Sequence, residues 1–130
     1  MKLERVTKGT IPLPVEGQKN ILVTSALPYV NNVPHLGNLI GSTLSSDVFA
    51  RYSRLRGHNT LLVCGTDEYG TATCVKAKEE GKTAQEIVDH YHVIHKQIYD
   101  DFELDFDYFG RTSTPKHSEI VQDLYKKVNA

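Results

Sequence analysis

The sequence lacks a large excess of charge and any long apolar run, and it contains only two cysteines. Its 130 residues carry 15 Lys+Arg against 16 Asp+Glu, a formal net charge of -1. Proteins that wrap nucleic acid or bind anionic membranes need a strong positive excess, so both classes are disfavoured. No window approaches the roughly 18 apolar residues of a membrane-spanning helix, and the first residues lack the apolar core of a signal peptide. We therefore expect no membrane partner.

The two cysteines, Cys64 and Cys74, are too few for a disulfide framework. This favours a reduced, cytoplasmic protein. We interpret both as small core or boundary residues rather than as reactive thiols. The length is typical of one domain with its own core.

The pattern of apolar residues predicts an α/β fold with a parallel, Rossmann-type sheet. Residues 1–19 show no period and are interpreted as a leader, lying on the domain or free, while residues 20–130 form the domain. Asn20–Ala26 and Thr60–Cys64 are short apolar runs typical of buried parallel strands. The long helix between them, from Leu36 to a stop at Gly57, completes a right-handed βαβ unit.

The long helix is predicted to bury one apolar stripe. Its members are Leu36, Ile40, Leu44, Val48, Tyr52 and Leu55. We expect Asp47, Arg51 and Arg54 to point away from this stripe, with the arginines on a solvated face. Nucleic-acid contact is the less favoured interpretation of these arginines and Arg56.

Helix signals continue along the chain. A short helix over Ala72–Glu80 should end at Gly81. A capping box, Thr83-Ala84-Gln85-Glu86, should open the next helix. Phe106–Gly110 is a candidate strand, and Thr114-Pro115 is an N-cap with a first-position proline for a last helix. That last helix carries the apolar residues Ile120, Val121 and Leu124.

Two loops follow the carboxyl ends of predicted strands, which is where open α/β sheets bind ligands. Both loops also carry polar side chains and glycines that suit a ligand site. The first loop leads into the long helix, whose start favours a phosphate. His35 and Asn38 can donate to phosphate oxygens, and Gly37 leaves room for a base or ribose. The alternative is that these residues only cap and pack the helix start.

The second loop carries a carboxylate, Asp67, between Gly65 and Gly70. It is either the partner of a cationic group or the N-cap of the following helix. Three histidines, His90, His92 and His95, follow on one helix. A metal shared by His92 and His95 is the less favoured interpretation, and a solvated or partly packed face is preferred.

Three blocks resemble the methionyl-tRNA synthetase family, a class I aminoacyl-tRNA synthetase group, in its eukaryotic cytosolic branch. They are Ser25–Asn38, Cys64–Thr73 and Phe109–Pro115. His35-Leu36-Gly37-Asn38 is similar to the His-x-Gly-His nucleotide motif, with Asn38 in place of the last histidine. The resemblance implies the first half of the catalytic fold, running from about Asn20 to the end.

The family activates methionine with ATP to methionyl adenylate and then transfers methionine to tRNA(Met). The resemblance implies that Asp67 holds the methionine ammonium group, and that Ala26, Leu27 and Tyr29 line the methionine pocket. The resemblance also implies that the nucleotide is bound by Pro34, His35, Gly37 and Asn38. Of these residues, His35 and Asn38 are implied to be catalytic as well. Mg²⁺ is expected with ATP, and no metal bound by this segment.

Other parts of the family pattern do not occur in this sequence, among them the Lys-Met-Ser-Lys-Ser loop, the metal-binding insertion and the anticodon-binding domain. We therefore expect little or no aminoacylation by the chain alone. One alternative is a truncated, non-catalytic fragment with at most weak ligand or partner binding. Another nucleotidyltransferase is disfavoured because it would not need the Asp67 block. Multi-synthetase or translation-factor partners are possible through the complete enzyme.

Overall fold

The structure of the chain is a computed structural model that describes residues 11–129. Residues 1–10 of the predicted leader lie outside the described residues. The rest of the leader is bonded to the start of a strand. The Asn59 side-chain amide donates to the Leu13 carbonyl at 2.7 Å, and the Asn59 N–H donates to the Lys19 carbonyl at 3.0 Å. Leu13 and Lys19 are therefore both hydrogen-bonded to Asn59.

Strands and helices follow the predicted order. The strands are β1 (Asn20–Thr24), β2 (Asn59–Thr66) and β3 (Tyr108–Arg111). One long helical run contains α1 (Leu36–Asn38), a π-helical segment (Leu39–Leu44) and α2 (Ser45–Leu55). The later helices are α3 (Thr71–Glu80), α4 (Ala84–Asp101) and α5 (Pro115–Val128). Among the described residues, none of these helices is long and apolar enough to cross a membrane.

The strands form one sheet in the order β1-β2-β3. β1 and β2 are parallel, with Asn20 opposite Asn59 and Thr24 opposite Val63, which confirms the βαβ prediction. β1 ends two residues earlier than predicted. β2 is longer than predicted and reaches Thr66, because Gly65 continues the strand instead of opening the loop.

Most predicted helix ends are confirmed. Gly81 has a φ of 64° at the end of α3, a left-handed conformation that glycine adopts without strain. Thr83 and Glu86 form the capping box: the Thr83 N–H donates to Glu86 Oε2 at 2.8 Å, and the Glu86 N–H donates to Thr83 Oγ1 at 3.2 Å. Thr114 caps α5 by accepting from the His117 N–H at 3.3 Å. These ends depend on local chemistry, which the sequence shows directly.

The prediction for the buried face of the long helix is wrong. The predicted stripe is exposed or half-buried throughout, while Asp47, Ala50 and Ser53 are buried. The small side chains of Ala50 and Ser53 allow close packing on the strands, and Asp47 accepts from the Asp105 N–H at 2.8 Å. A buried carboxylate is tolerated when it is paired and hydrogen-bonded. Arg51 Nε supplies the ion pair at 2.6 Å.

Arg54 is also not simply solvated. It donates to Asp107 Oδ2 at 2.7 Å, and the same carboxylate oxygen accepts from the Leu62 N–H at 2.6 Å. Arg54 therefore binds the segment before β3. The spacing of residues in the sequence did not predict this contact.

The chain divides into two compact units. Among the described residues, the first contains residues 11–26, His35–Cys64 and Tyr99–Phe109. Its core is Val23, Ala50 and Leu62, with Ile21 and Phe106 packed against them. The second contains Leu27–Pro34, Gly65–Ile98 and residues 110–129. Its buried apolar side chains are Val30, Ala77, Ile87 and Val88. The apolar residues of α5 are exposed in the described structure.

Candidate functional site

The helix start in the first unit is built by a reciprocal pair of caps. His35 is the N-cap residue, with extended backbone at φ -90° and ψ 167°. Its Nδ1 accepts from the Asn38 N–H at 3.3 Å, and Asn38 Oδ1 accepts from the His35 N–H at 3.2 Å. This is a capping box built from histidine and asparagine. Both residues therefore cap the helix start.

Capping also determines which atoms of these side chains can donate. Because the neutral His35 ring accepts at Nδ1, its proton is carried by Nε2. Because Asn38 accepts at Oδ1, its amide nitrogen keeps both protons. Within residues 11–129 neither His35 Nε2 nor Asn38 Nδ2 has a hydrogen-bond partner. Capping thus leaves two donors at the start of the helix.

Gly37 has a packing role at the helix start. A Cβ at this position would lie 3.0 Å from His35 Cε1 and 3.1 Å from His35 Nδ1, closer than ordinary van der Waals contact. The absence of a side chain at position 37 therefore gives the His35 ring its space.

The same unit connects the helix to the carboxyl end of β1 through Ser42. Ser42 Oγ lies 3.0 Å from Ser25 Oγ and donates to the Ala26 carbonyl at 3.3 Å. An open cavity of about 380 Å³ lies here, lined by Ala26, Gly41 and Ser42 among others. Ala26, predicted to line a methionine pocket, is exposed at this edge.

In the second unit the structure brings Tyr29 and Asp67 together. They form an isolated parallel bridge, in which the Asp67 N–H donates to the Pro28 carbonyl at 2.9 Å and the Val30 N–H donates to the Asp67 carbonyl at 3.2 Å. The Tyr29 side chain is 64% exposed and Leu27 is 42% exposed. Both remain available to a ligand. Pro34, at the end of the same segment, is half-buried.

The N-cap alternative for Asp67 is wrong. The N-cap of α3 is Gly70, and no side chain caps this helix. Among the described residues, the Asp67 carboxylate accepts one hydrogen bond, a long one of 3.4 Å from the Tyr69 N–H. Most of its capacity to accept is therefore unused by this contact.

A buried acid beside Asp67 was missed in the sequence. The Glu68 side chain is completely buried, and it accepts from Arg111 Nε at 2.6 Å, from Thr66 Oγ1 at 2.8 Å and from Ser113 Oγ. Arg111 also pairs with Asp89, and the hydrogen bonds that the guanidinium donates to Glu68 and to Asp89 raise its pKa. The third sequence block, which contains Arg111 and Ser113, was the available signal.

The close approach of β2 and β3 depends on glycine at position 65. A Cβ on Gly65 would lie 2.6 Å from the Gly110 carbonyl oxygen. That separation is impossible without a shift of the backbone. Both positions belong to the second unit and support the loop that carries Asp67 and Glu68.

The histidines of α4 divide into two kinds. His90 is exposed, whereas His95 is buried with Nε2 2.8 Å from the Asn32 carbonyl, and His92 Nδ1 lies 2.8 Å from Thr66 Oγ1. Desolvation lowers the pKa of the half-buried His92 ring and of the buried His95 ring, since it disfavours the imidazolium form. Within the described part of the chain no three His, Cys, Asp or Glu side chains are grouped to hold a metal ion.

The cysteines differ in exposure. Cys64 is buried in β2, as predicted, but Cys74 is exposed on α3. The expectation of a core or boundary position is therefore wrong for Cys74, because α3 buries Thr73 and Ala77 instead.

A parallel α/β fold with a donor-bearing helix start and an acidic loop after a strand is typical of enzymes that bind nucleotides at strand ends. The family model described as tRNA synthetases class I (M) matches residues 21–130. The chain belongs to this family, and its predicted Rossmann-type fold class is confirmed.

Named relatives agree with this family. A probable cytoplasmic methionine-tRNA ligase of Schizosaccharomyces pombe is 65% identical over 125 residues, covering 96% of this chain and 16% of the relative. The cytoplasmic methionine-tRNA ligase of Homo sapiens is 66% identical over 116 residues, covering 89% of this chain and 13% of the relative. The chain thus spans less than a fifth of the length of these relatives.

A solved structure also resembles the chain. The Mycobacterium tuberculosis methionyl-tRNA synthetase in complex with methionyl-adenylate matches with a TM-score of 0.82 and 26% identity. The match covers 85% of this chain and 22% of that protein. It supports the fold over most of the chain.

Proposed function

We propose that this chain supplies ATP and methionine contacts of a cytoplasmic methionine-tRNA ligase. The observation that carries the proposal is the Asp67 carboxylate, fixed by its main chain beside exposed Tyr29 and little used by other described residues. Such a carboxylate suits a primary ammonium group, which offers three donors. Relatives named as methionine-tRNA ligases and a solved neighbour holding methionyl-adenylate support this substrate.

The methionine side chain would be recognised by apolar surface. Leu27 and Tyr29 are exposed in the loop that follows β1, and Ala26, two residues after the end of the strand, is exposed as well. A thioether gains affinity from desolvation against apolar and aromatic groups. The ammonium contact to Asp67 would then fix the carboxylate of methionine for attack.

The phosphates of ATP would be held at the helix start. His35 Nε2–H and the Asn38 amide are the donors left over by capping, and the first turn adds the partial positive charge of the helix. Pro34 and Gly37 complete the proposed nucleotide set. We expect Mg²⁺ to arrive with ATP as part of the substrate.

The reaction needs no general base in this chain. A methionine carboxylate oxygen forms a bond to the α-phosphorus of ATP, the bond to the β,γ-phosphates breaks, and pyrophosphate leaves with the electron pair. A ribose hydroxyl of tRNA(Met) then forms an ester bond with the methionyl carbonyl carbon, the bond from that carbon to the phosphate oxygen breaks, AMP leaves with the electron pair, and the hydroxyl proton is released to water. Catalysis at His35 and Asn38 would be positioning and charge stabilisation. Multi-synthetase or translation-factor partners would act through the complete enzyme.

The test uses the chain in two forms. In the first, the 130-residue chain is assayed for methionine-dependent exchange of pyrophosphate into ATP, and we expect little or none. In the second, residues 21–130 replace the matching segment of the human relative to give a chimeric ligase. We expect methionine-dependent exchange and aminoacylation in the chimeric ligase. A folded chimeric ligase with neither activity would contradict the proposal and favour a non-catalytic fragment.

A further inference from the structure

His92 and His95 lie one turn apart on α4, yet their rings contact two different loops of the second unit. His95 contacts the loop after β1 through the Asn32 carbonyl, with Nε2 to O at 2.8 Å. His92 contacts the end of β2 through Thr66 Oγ1, with Nδ1 to O at 2.8 Å. The first loop carries Tyr29 and the second carries Asp67. One face of α4 therefore contacts both the loop with Tyr29 and the loop with Asp67, two residues that are proposed to bind methionine.

The direction of the His95 hydrogen bond is determined by its partner. A carbonyl oxygen can only accept, so the neutral His95 ring carries its proton on Nε2. The ring is 1% exposed, and Asn32 belongs to the loop that leads to Pro34 and the helix start. A buried donor that loses its partner costs more than a surface contact. The bond therefore holds the loop at a point three residues from Tyr29.

The His92 hydrogen bond belongs to a chain of three groups. Thr66 Oγ1 has one proton, which it donates to Glu68 Oε1 at 2.8 Å. The threonine oxygen must therefore accept from His92 Nδ1–H. Glu68 also accepts from Arg111 and Ser113. The groups on either side of Asp67 in sequence, Thr66 and Glu68, are thus fixed by hydrogen bonds, whereas the Asp67 side chain is left for a ligand.

We propose that His92 and His95 are positioning residues for the binding of methionine. His95 positions the loop that carries Tyr29, and His92 positions the loop that carries Asp67. This inference rests on the proposed function for the identity of the ligand. Neither histidine touches the substrate in the proposal. Each acts through one named hydrogen bond, so a side chain that restores that donor should restore the effect.

Conservative variants separate the hydrogen bond from the packing of the ring. The amide nitrogen of glutamine lies where His Nε2 does, and that of asparagine lies where Nδ1 does. His95→Gln and His92→Asn therefore keep the donor, whereas His95→Leu and His92→Leu remove it. His90→Leu, at an exposed position on the same helix, controls for loss of an imidazole.

Amide hydrogen exchange on the 130-residue chain measures the two loops independently of activity. We expect His95→Leu to accelerate exchange at residues 29–33 by about tenfold, the equivalent of one net hydrogen bond, with little change at residues 66–69. His92→Leu should do the reverse, and His95→Gln and His92→Asn should restore slow exchange. No acceleration, or equal acceleration at both loops in both leucine variants, would overturn the assignment of one loop to each histidine.

The chimeric ligase tests the consequence for methionine. In each leucine variant we expect the KM for methionine to rise about tenfold with kcat and the KM for ATP little changed, and each conservative variant should return it to within about threefold. Unchanged methionine KM in a chimeric ligase that is active would overturn the positioning role alone. Inactivity of the unsubstituted chimeric ligase would instead overturn the proposed function, and the methionine role of the histidines with it.

Discussion

Asp67 is bonded through its main chain to the residues on both sides of Tyr29, donating to the Pro28 carbonyl at 2.9 Å and accepting from the Val30 N–H at 3.2 Å. Neither bond uses a side chain. The two loops therefore stay in register whatever side chains stand at positions 29 and 67. Substitutions at these positions can test ligand chemistry without removing the bridge.

Asp67→Asn should weaken methionine recognition while leaving the fold intact. Asparagine keeps an oxygen for the Tyr69 N–H but loses the negative charge. Hydrogen bonds to charged groups contribute enough that we expect roughly a 10- to 100-fold rise in methionine KM. Pyrophosphate exchange in the chimeric ligase measures it, with Glu79→Gln on the exposed side of α3 as the control. A normal methionine KM would rule out Asp67 as the ammonium partner.

His35→Asn should slow the chemical step more than it weakens methionine binding. Asparagine is a good N-cap residue, so the helix start keeps its acceptor, but the distal Nε2–H donor is lost. Removal of one such donor to a developing charge costs about 10²-fold in kcat. Single-turnover rates of adenylate formation measure it. A change confined to methionine KM would contradict the phosphate role of His35.

Gly65→Ala and Gly41→Ala should have opposite effects on stability. The first places a Cβ 2.6 Å from the Gly110 carbonyl oxygen, whereas nothing lies within 4 Å of a Cβ on Gly41. We expect the free energy of unfolding to fall by about 1–3 kcal/mol for Gly65→Ala and to rise by up to about 1 kcal/mol for Gly41→Ala. Urea unfolding measures both. Equal changes in the free energy of unfolding for the two variants would show that the close approach of β2 and β3 does not require glycine at position 65.

Glu68→Gln should destabilise the chain far more than a surface substitution. The buried carboxylate accepts three side-chain hydrogen bonds, and glutamine cannot accept all three with the same geometry. We expect a loss of about 1–3 kcal/mol in urea unfolding. Glu119→Gln removes one partner of the exposed Lys116 pair and should cost less than about 0.5 kcal/mol. Similar losses in the two variants would mean that the Glu68 cluster contributes little.

Stability should fall as the pH is lowered, and His95 should cause part of the fall. Burial lowers the pKa of His95 in the folded chain below 6.5, so the unfolded chain binds more protons in that range. The stabilisation is therefore complete above about pH 6.5 and is lost as the pH falls through the folded-state pKa. His95→Gln, which keeps the donor but does not titrate, should flatten this loss between about pH 7.5 and pH 5.

Urea midpoints at several pH values across that range measure the effect. His90→Gln, at an exposed position of the same helix, should keep the fall seen in the unsubstituted chain. An identical pH dependence for His95→Gln and the unsubstituted chain would show that His95 does not contribute.

The sequence predicted features whose causes are local. The capping box at Thr83, the N-cap at Thr114 and the stop at Gly81 each depend on residues within one turn, and all three are confirmed. The parallel βαβ order was also predictable, because two short apolar runs separated by a long helix allow few alternatives. Of the candidate site, the two loops after β1 and β2 were predictable, and the roles of the residues in them stay predictions.

Features that depend on distant partners were not predictable. Apolar spacing indicated one face of the long helix, but the buried face is the one with small residues and with Asp47, whose partner Asp105 lies 58 residues away. Glu68 was missed for the same reason, since Arg111 and Ser113 follow it by more than 40 residues. The exposed apolar stripe is a surface of the kind that contacts other protein segments, and the relatives are several times longer than this chain.

Because Gly37 leaves space for the His35 ring, the effect of a substitution at position 37 depends on the residue at position 35. Positions 35 and 37 are therefore epistatic. An alanine at position 37 would crowd the ring that accepts from the Asn38 N–H, so its effect depends on which side chain stands at position 35. With a smaller N-cap residue at position 35, the same alanine meets no ring and should have little effect on the stability of the helix start. Mutational scans of this loop that change one position at a time will therefore overstate the requirement for glycine, and combinatorial libraries over positions 35, 37 and 38 are needed to find the sequences it tolerates.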